Sequence, residues 1–338
     1  MNIVNTEILE YKKAFISDTN LGVKKHSFRK GWYIKIFSNE HVGIGEAAPI
    51  PGISKESHAE AGYAIQGFMV ALKDVDYSVS IDEMLLLAEV HGCNVPSAKF
   101  AMQAAVYSLF SQNSNKIISK FLNQESNDSI MINSIVHDNS RISIENSRVL
   151  KIKVSDSNIY DIKDMIEKIY NSYGEKLLRL DFNGGLDLSK AIRICKELES
   201  YNIEYIEQPV LLLDDLYELR MHSGIPIAVD EILLNYDTAE KIIKNAAADV
   251  FVIKPTLLGG FDDLKKVFQL ANSEEIKIVI TSAFETFIGQ SFIGYLAAAI
   301  KTQSYCGIFN INLFENDHLY PSVKNSKLVL KDICGFNA

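Results

Sequence analysis

Several large classes of protein are excluded by what this sequence lacks. No run of Lys and Arg stands out from the rest of the chain, and the formal net charge is −9. Both argue against a surface that neutralises nucleic-acid phosphates. Cysteine is scarce: Cys93, Cys195, Cys306 and Cys334 lie far apart with no CxxC spacing. That pattern fits buried thiols in a reducing compartment better than a disulfide framework or a zinc cage. The longest apolar stretch, FIGQSFIGYLAAAI (287–300), has 14 residues and includes Gln290 and Ser291. It is too short to span a bilayer and reads as a buried helix. The opening MNIVNTEILEYKK turns polar and acidic at once and carries no signal-peptide pattern. A cytoplasmic protein without membrane or nucleic-acid partners is expected.

What is present suits a large core. The chain has 338 residues, 47% of them hydrophobic and 23% charged, enough for one large domain or two. Its texture changes part-way. Residues 1–48 hold short β-like runs, among them WYIKIF (32–37), followed by the Gly-punctuated HVGIGEAAPIPGIS (41–54). Helical patterns follow at 57–73, 80–91 and 96–110, the last opening on Pro96. NQESNDS (123–129) reads as a linker. Beyond it, apolar runs alternate with helical patterns: SIMINSIV (129–136), VLKIKV (149–154), KLLRLDF (176–182), IEYIEQP (203–209), IPIAVDE (225–231), VFVIKP (250–255), KIVITSA (277–283) and GIFNINLF (307–314). This alternation is the signature of βαβ units, and eight such strands predict a closed α/β barrel.

The charges then fall into place. Active sites of parallel barrels lie at the C-terminal ends of the strands. Asp181, Glu207 and Asp230 end the third, fourth and fifth predicted strands, so neighbouring strand ends bring three carboxylates together. Singly, an acid at a strand end is usually a helix cap or a solvated turn residue. Three in consecutive units, with lysines on either side, predict a divalent-cation site. The all-oxygen donor set favours Mg²⁺, with Mn²⁺ as the alternative. The lysines are Lys151 and Lys153 of VLKIKV, on one strand face, and Lys254 of VFVIKP. A lysine beside a second ammonium and a divalent ion is expected to lose its proton more readily and to act as a base. Lys153, nearer the mouth, is the predicted base, with Lys151 tuning it from below.

These residues resemble the enolase superfamily, and K-x-K with the sixth-strand lysine places the resemblance in its muconate-lactonizing-enzyme subgroup. It runs over nearly the whole chain: GIGEAAPIPGIS, PSAKFAMQAA, K-x-K, RLDFNGG, IEQP, VDE and IKP. It implies a modified TIM barrel, (β/α)7β, at 126–314. An α+β capping domain at 1–125 would be completed by about 315–338. FVIKPTLLGG, TSAFETFIGQ and the interval from Lys153 to Asp181 are most similar to the o-succinylbenzoate synthases of menaquinone biosynthesis. The implied reaction is a syn elimination of water from a succinyl-substituted hydroxycyclohexadiene carboxylate. In it Lys153 is the acid–base group, Lys254 faces the ring, and Asp181, Glu207 and Asp230 hold Mg²⁺. Asn183, Thr281, Ser282 and Gly307 are candidate contacts for this small carboxylate substrate, although Thr281 and Ser282 equally suit helix capping. Loops at 17–28 and 49–55 are expected to close the site. Lys24, Lys25, His26 and Arg29 read better as a solvated basic loop than as substrate ligands. Arg179 points inward as a structural charge partner. A dipeptide epimerase or N-acylamino acid racemase on the same scaffold is the alternative. The resemblance implies aspartates on an epimerase's eighth strand, and here Glu315 and Asp317 lie beyond it. Oligomeric state is not legible.

Overall fold

The computed structural model describes residues 1–21, 24–73, 78–136, 144–154, 158–310, 313–314 and 321–333. The chain starts with a three-stranded antiparallel sheet, β1 (Asn5–Leu21), β2 (Lys24–Phe37) and β3 (Val42–Ala47), ordered β1-β2-β3. Four helices follow: α1 (His58–Lys73), α2 (Ile81–His91), α3 (Pro96–Asn113) and α4 (Ile118–Leu122). Ser80 and Glu83 form a capping box that starts α2. Pro96 opens α3 as expected, where a missing N–H costs nothing. The Gly-punctuated stretch is explained by α3. A Cβ on Gly43 or Gly45 would lie 2.1 or 2.0 Å from the carbonyl oxygens of Ala105 and Ala101, so the helix lies directly on the strand. Ile34, Ile36, Phe68, Met84, Met102 and Leu109 fill the core between them.

The remaining strands are β4 (Ser129–Met131), β5 (Ser134–Val136), β6 (Val149–Lys153), β7 (Leu177–Asp181), β8 (Ile203–Glu207), β9 (Ile227–Val229), β10 (Val250–Ile253), β11 (Lys277–Ile280) and β12 (Lys327–Val329). β5 to β11 form one seven-stranded parallel sheet in sequential order. Helices α5 (Ile159–Tyr173), α6 (Leu188–Leu198), α7 (Leu213–His222), α8 (Tyr236–Lys244), α9 (Pro255–Leu258), α10 (Phe261–Ser273) and α11 (Phe287–Ala299) connect or follow these strands. Asn158, Asp187 and Asn235 cap α5, α6 and α8 with their side chains. Each of these helices buries one stripe, for example Ile162, Ile166 and Ile169 of α5, against the sheet. The 287–300 stretch is indeed a buried helix. Among the described residues no helix is long and apolar enough to cross a membrane.

Two of the predicted strands differ. SIMINSIV divides: β4 pairs antiparallel with β12, and only β5 joins the parallel sheet. GIFNINLF is not a strand over its described residues. The sheet is closed instead by Cys306 and Gly307, which bridge Ile132 on one edge and Thr281 on the other. Cys306 N donates to Met131 O at 2.7 Å and Gly307 N to Ile280 O at 2.8 Å. Pairing ends there because Phe309 adopts φ 50° and its N–H donates to the Gln290 side chain at 2.7 Å. Further along, Leu313 O accepts from Ile16 N at 3.0 Å, which ties the chain to β1. Leu328, Leu330 and Ile333 join the barrel core. Glu315, Asp317 and Cys334 lie outside the described residues.

Closure explains Gly307. A Cβ there would sit 2.5 Å from Thr281 Oγ1, and that hydroxyl already donates to Gly307 O at 3.0 Å. Gly307→Ala is expected to cost about 1–3 kcal/mol by overpacking, read as a lower urea midpoint. Thr281→Ala should recover part of that loss.

Candidate active site

The sheet register sets one layer of the site. Lys153 pairs with Asp181, and Asp181 with Glu207, across β6, β7 and β8. Asp230 follows the last residue of β9, and Lys254 follows β10 and precedes Pro255. Asp181, Glu207 and Asp230 are buried, as strand ends facing a barrel interior must be. Lys151 reaches up from the layer below: its Nζ lies 2.9 Å from Asp181 Oδ2 and 2.7 Å from Glu207 Oε1. Lys254 Nζ donates to Asp230 Oδ1. Lys153, in the Asp181–Glu207 row, is exposed toward the mouth. The candidate lysines and carboxylates are therefore gathered at one end of the barrel.

The electrostatics differ in one respect from expectation. Burial alone would lower the Lys151 pKa, but Asp181 and Glu207 outweigh it and hold the ammonium well above its ordinary value. Lys254 is held up in the same way, with Asp230 and Glu231 outweighing its burial. The charge of Lys151 is thus compensated by two carboxylates and is not a bare repulsion directed at Lys153. Strand alternation made the pair visible in the sequence, whereas the reach of a lysine stem into the layer above was not. Glu207 is pushed up to about 8, first by burial and then by Asp181 and Asp230, with Lys151 opposing.

Among the described residues, no three Asp, Glu, His or Cys side chains stand as a preformed cation cage; Lys151 and Lys254 pair with the three acids instead. The donor chemistry nevertheless fits a hard cation. All three acids supply oxygen only, and Glu207 Oε2 is buried without a hydrogen-bond partner. The mutual repulsion that raises Glu207 is the kind that a divalent ion relieves.

The other candidates separate into two groups. Asn183, at φ 46°, donates its N–H to Asp181 Oδ1 at 3.1 Å and its Nδ2 to Glu231 Oε1 at 2.8 Å, so it stands beside the acids. Thr281 and Gly307 are engaged with each other in barrel closure. Ser282 N donates to Gly307 O at 3.1 Å. Neither Thr281 nor Ser282 caps α11, whose N-cap is Thr286. Arg179 is the structural partner expected: its Nε lies 2.6 Å from Glu204 Oε2, one layer below the site.

Sequence reasoning missed Gln208, Glu231 and a buried cluster behind the mouth. Gln208 Oε1 accepts from Asp230 N at 2.8 Å and its Nε2 donates to Val210 O at 2.8 Å, so it staples two strand ends. The Glu-Gln-Pro triplet was the available signal. Arg29 is no solvated loop residue. It is 1% exposed and donates to the carbonyls of Ala48, Pro49 (2.7 Å), Ala283 (3.4 Å) and Phe284 (3.2 Å). Glu46 accepts from Thr286 N and Gly289 N at 2.9 and 2.8 Å and from Tyr11 OH. Its carboxylate thus sits on the N-terminus of α11. His26, Phe28 and Pro49 line a cavity of about 420 Å³ at the start of α1, and none of the strand-end acids or lysines borders it. The side chain of Lys24 is outside the described residues.

Glu285 in this cluster is fully buried and pushed up to about 7 by burial and by Glu46, with Arg29 opposing. A carboxyl raised on folding binds its proton more tightly in the native state, so stability falls as pH climbs from about 4.5 to about 7. The loss attributable to Glu285 is on the order of 3 kcal/mol. Glu285→Gln is expected to flatten this slope in melts compared at pH 5 and pH 8.

Residues 138–332, more than half the chain, match the enolase C-terminal domain-like family. The chain belongs to the enolase superfamily. Residues 4–109 match the MenC N-terminal domain. An o-succinylbenzoate synthase of Thermobifida fusca is 32% identical over 171 residues, which are 49% of this chain and 53% of that protein. The chain thus matches only about half the length of this relative. A D-Ala-D/L-Ala epimerase of Cytophaga hutchinsonii is 26% identical over 292 residues, 82% of this chain and 78% of that protein. The structure of a dipeptide epimerase from Enterococcus faecalis, complexed with Mg and L-Leu-L-Tyr, superposes with a TM-score of 0.83 at 23% identity. It covers 96% of this chain and 95% of that one. The superfamily's capped barrel is therefore the fold.

Proposed function

We propose that this enolase-superfamily member is a Mg²⁺-dependent o-succinylbenzoate synthase, a lyase of menaquinone biosynthesis working in the cytoplasm. It would convert 2-succinyl-6-hydroxy-2,4-cyclohexadiene-1-carboxylate to 2-succinylbenzoate. The observation that carries this choice is the match of residues 4–109 to the MenC N-terminal domain. The closing residues Cys306–Asn310 support it: they include no carboxylate for a substrate ammonium.

Asp181, Glu207 and Asp230 would hold Mg²⁺, and Asn183 would orient the set through Asp181 and Glu231. When bound, the ion stabilises negative charge developing on the substrate carboxylate. Lys153 Nζ takes the α-proton. The C–H electrons pass first onto the substrate carboxylate; they then return to form the ring double bond as the C–OH bond breaks, and Lys153 gives the proton to the departing hydroxide on the same face, releasing water. Lys254, across the barrel mouth, offers an ammonium to the transient anion. Lys151, paired with Asp181 and Glu207, holds these two ligand carboxylates in place and opposes the repulsion between them.

A dipeptide epimerase is the second reading, favoured by the longer alignment to the Cytophaga hutchinsonii epimerase. Each lysine would then serve one face of an α-carbon. Protein mixed with Mg²⁺ and the cyclohexadiene substrate should produce the ultraviolet spectrum of the aromatic product. No product, together with epimerisation of L-Ala-L-Glu, would overturn the synthase assignment.

A further inference from the structure

Lys254 does not stand on the barrel alone. It is followed by the single turn α9, in which Leu257 N and Leu258 N both donate to Lys254 O, at 2.9 and 3.2 Å. That turn ends on Gly259 and Gly260, at φ 115° and 112°, a region open to glycine and hostile to other residues. Helix α3 of the amino-terminal region lies against this exit. Gln103 Oε1 accepts from Phe261 N at 2.8 Å, and Gln103 Nε2 donates to Asp262 Oδ2 at 3.2 Å. A Cβ on Gly260 would come within 2.3 Å of Gln103 Oε1. One turn earlier on the same stripe, Lys99 Nζ lies 2.7 Å from Asp263 Oδ2 and 2.5 Å from Glu89 Oε2. One turn later, the Tyr107 ring meets Phe261 edge-on, with centroids 6.0 Å apart. Lys99 and Gln103 are 6% and 1% exposed, so neither can reach another partner without opening the contact.

We infer that Gln103 is a positioning residue for Lys254: α3 grips the Gly259–Asp263 segment and thereby fixes the turn from which the Lys254 ammonium projects. The stripe Lys99–Gln103–Tyr107 is spaced i, i+4, i+8, so one helix face makes all three contacts. Lys254 stands between the end of its own strand and this turn, and a small misplacement of a catalytic group costs rate steeply. The inference rests on the catalytic reading of Lys254 given above.

The test compares Gln103→Leu, Lys254→Ala and the double variant by steady-state kinetics on the cyclohexadiene substrate. Backbone hydrogen exchange of the metal-free proteins is followed in parallel. Gln103→Leu should lower kcat about 10- to 100-fold with little change in KM, and should speed exchange at Leu257–Phe261 but not in β10. It should have no further effect in the Lys254→Ala background. Gln103→Glu alone places like charges against Asp262; combined with Asp262→Asn it restores both the acceptor and a donor and should recover kcat. Equal losses from Gln103→Leu in both backgrounds, or unchanged exchange at 257–261, would overturn the positioning role. Lys254→Ala with full turnover would instead overturn the catalytic reading, and the positioning role with it.

Discussion

Lys153→Ala should lose turnover by about 10²- to 10⁴-fold, the range that a positioned acid–base group contributes, while the protein keeps its fold and its affinity for Mg²⁺. The separation is expected because Lys153 is exposed at the mouth, and no hydrogen bond among those described holds the barrel through its ammonium. Removing it leaves the Lys151–Asp181 and Lys151–Glu207 pairs in place. Lys151→Ala should behave differently. It strips the counter-charge from two buried carboxylates, so stability in the metal-free state falls along with turnover. Thermal melts with and without Mg²⁺, beside single-turnover rates, distinguish the two lysines. Retained turnover in Lys153→Ala would refute its assignment as the base.

Arg29→Met should destabilise the protein on the order of 3–5 kcal/mol. Four main-chain carbonyls, from Ala48 and Pro49 on one side and Ala283 and Phe284 on the other, lose their donor. Glu285 also loses the Arg29 guanidinium, a cation that opposes the effect of its burial. The second contribution has a pH signature. Below about 7 the Glu285 carboxyl carries its proton and needs no counter-charge, whereas above it the carboxylate does. The Arg29→Met penalty should therefore be larger at pH 8 than at pH 5 in denaturant titrations, and Glu285→Gln should reduce the difference. A penalty independent of pH would mean that Arg29 acts through its carbonyl contacts alone.

The strand-end acids and lysines were legible because their signal is local. RLDF, IEQP, VDE and IKP each place a charge just after an apolar run, and strand register does the rest. The Pro96 start of α3 was readable for the same reason. Arg29, Glu46 and Glu285 were not. Arg29 stands in a stretch, KKHSFRK, whose composition suggests solvent, and its partners lie 19 to 255 residues away. Gly307 looked like an opening for a ligand because a missing Cβ carries no label for what fills its space; Thr281 does. The eighth strand was overextended because the alternation in GIFNINLF does not reveal that Phe309 would turn to a left-handed backbone.

Closure of the barrel through Cys306 and Gly307 gives the protein a built-in chemical clock. Burial pushes the Cys306 thiol up to about 12, so while the clasp holds it is neither accessible nor ionised. If the ring parts at this seam, the same sulfur meets solvent as an ordinary thiol, and its rate of alkylation counts the openings. Cys195 is shut away on the buried face of α6 and Cys93 is already exposed. Among the described residues, one thiol thus answers reagent from the start and two answer only when the structure around them opens.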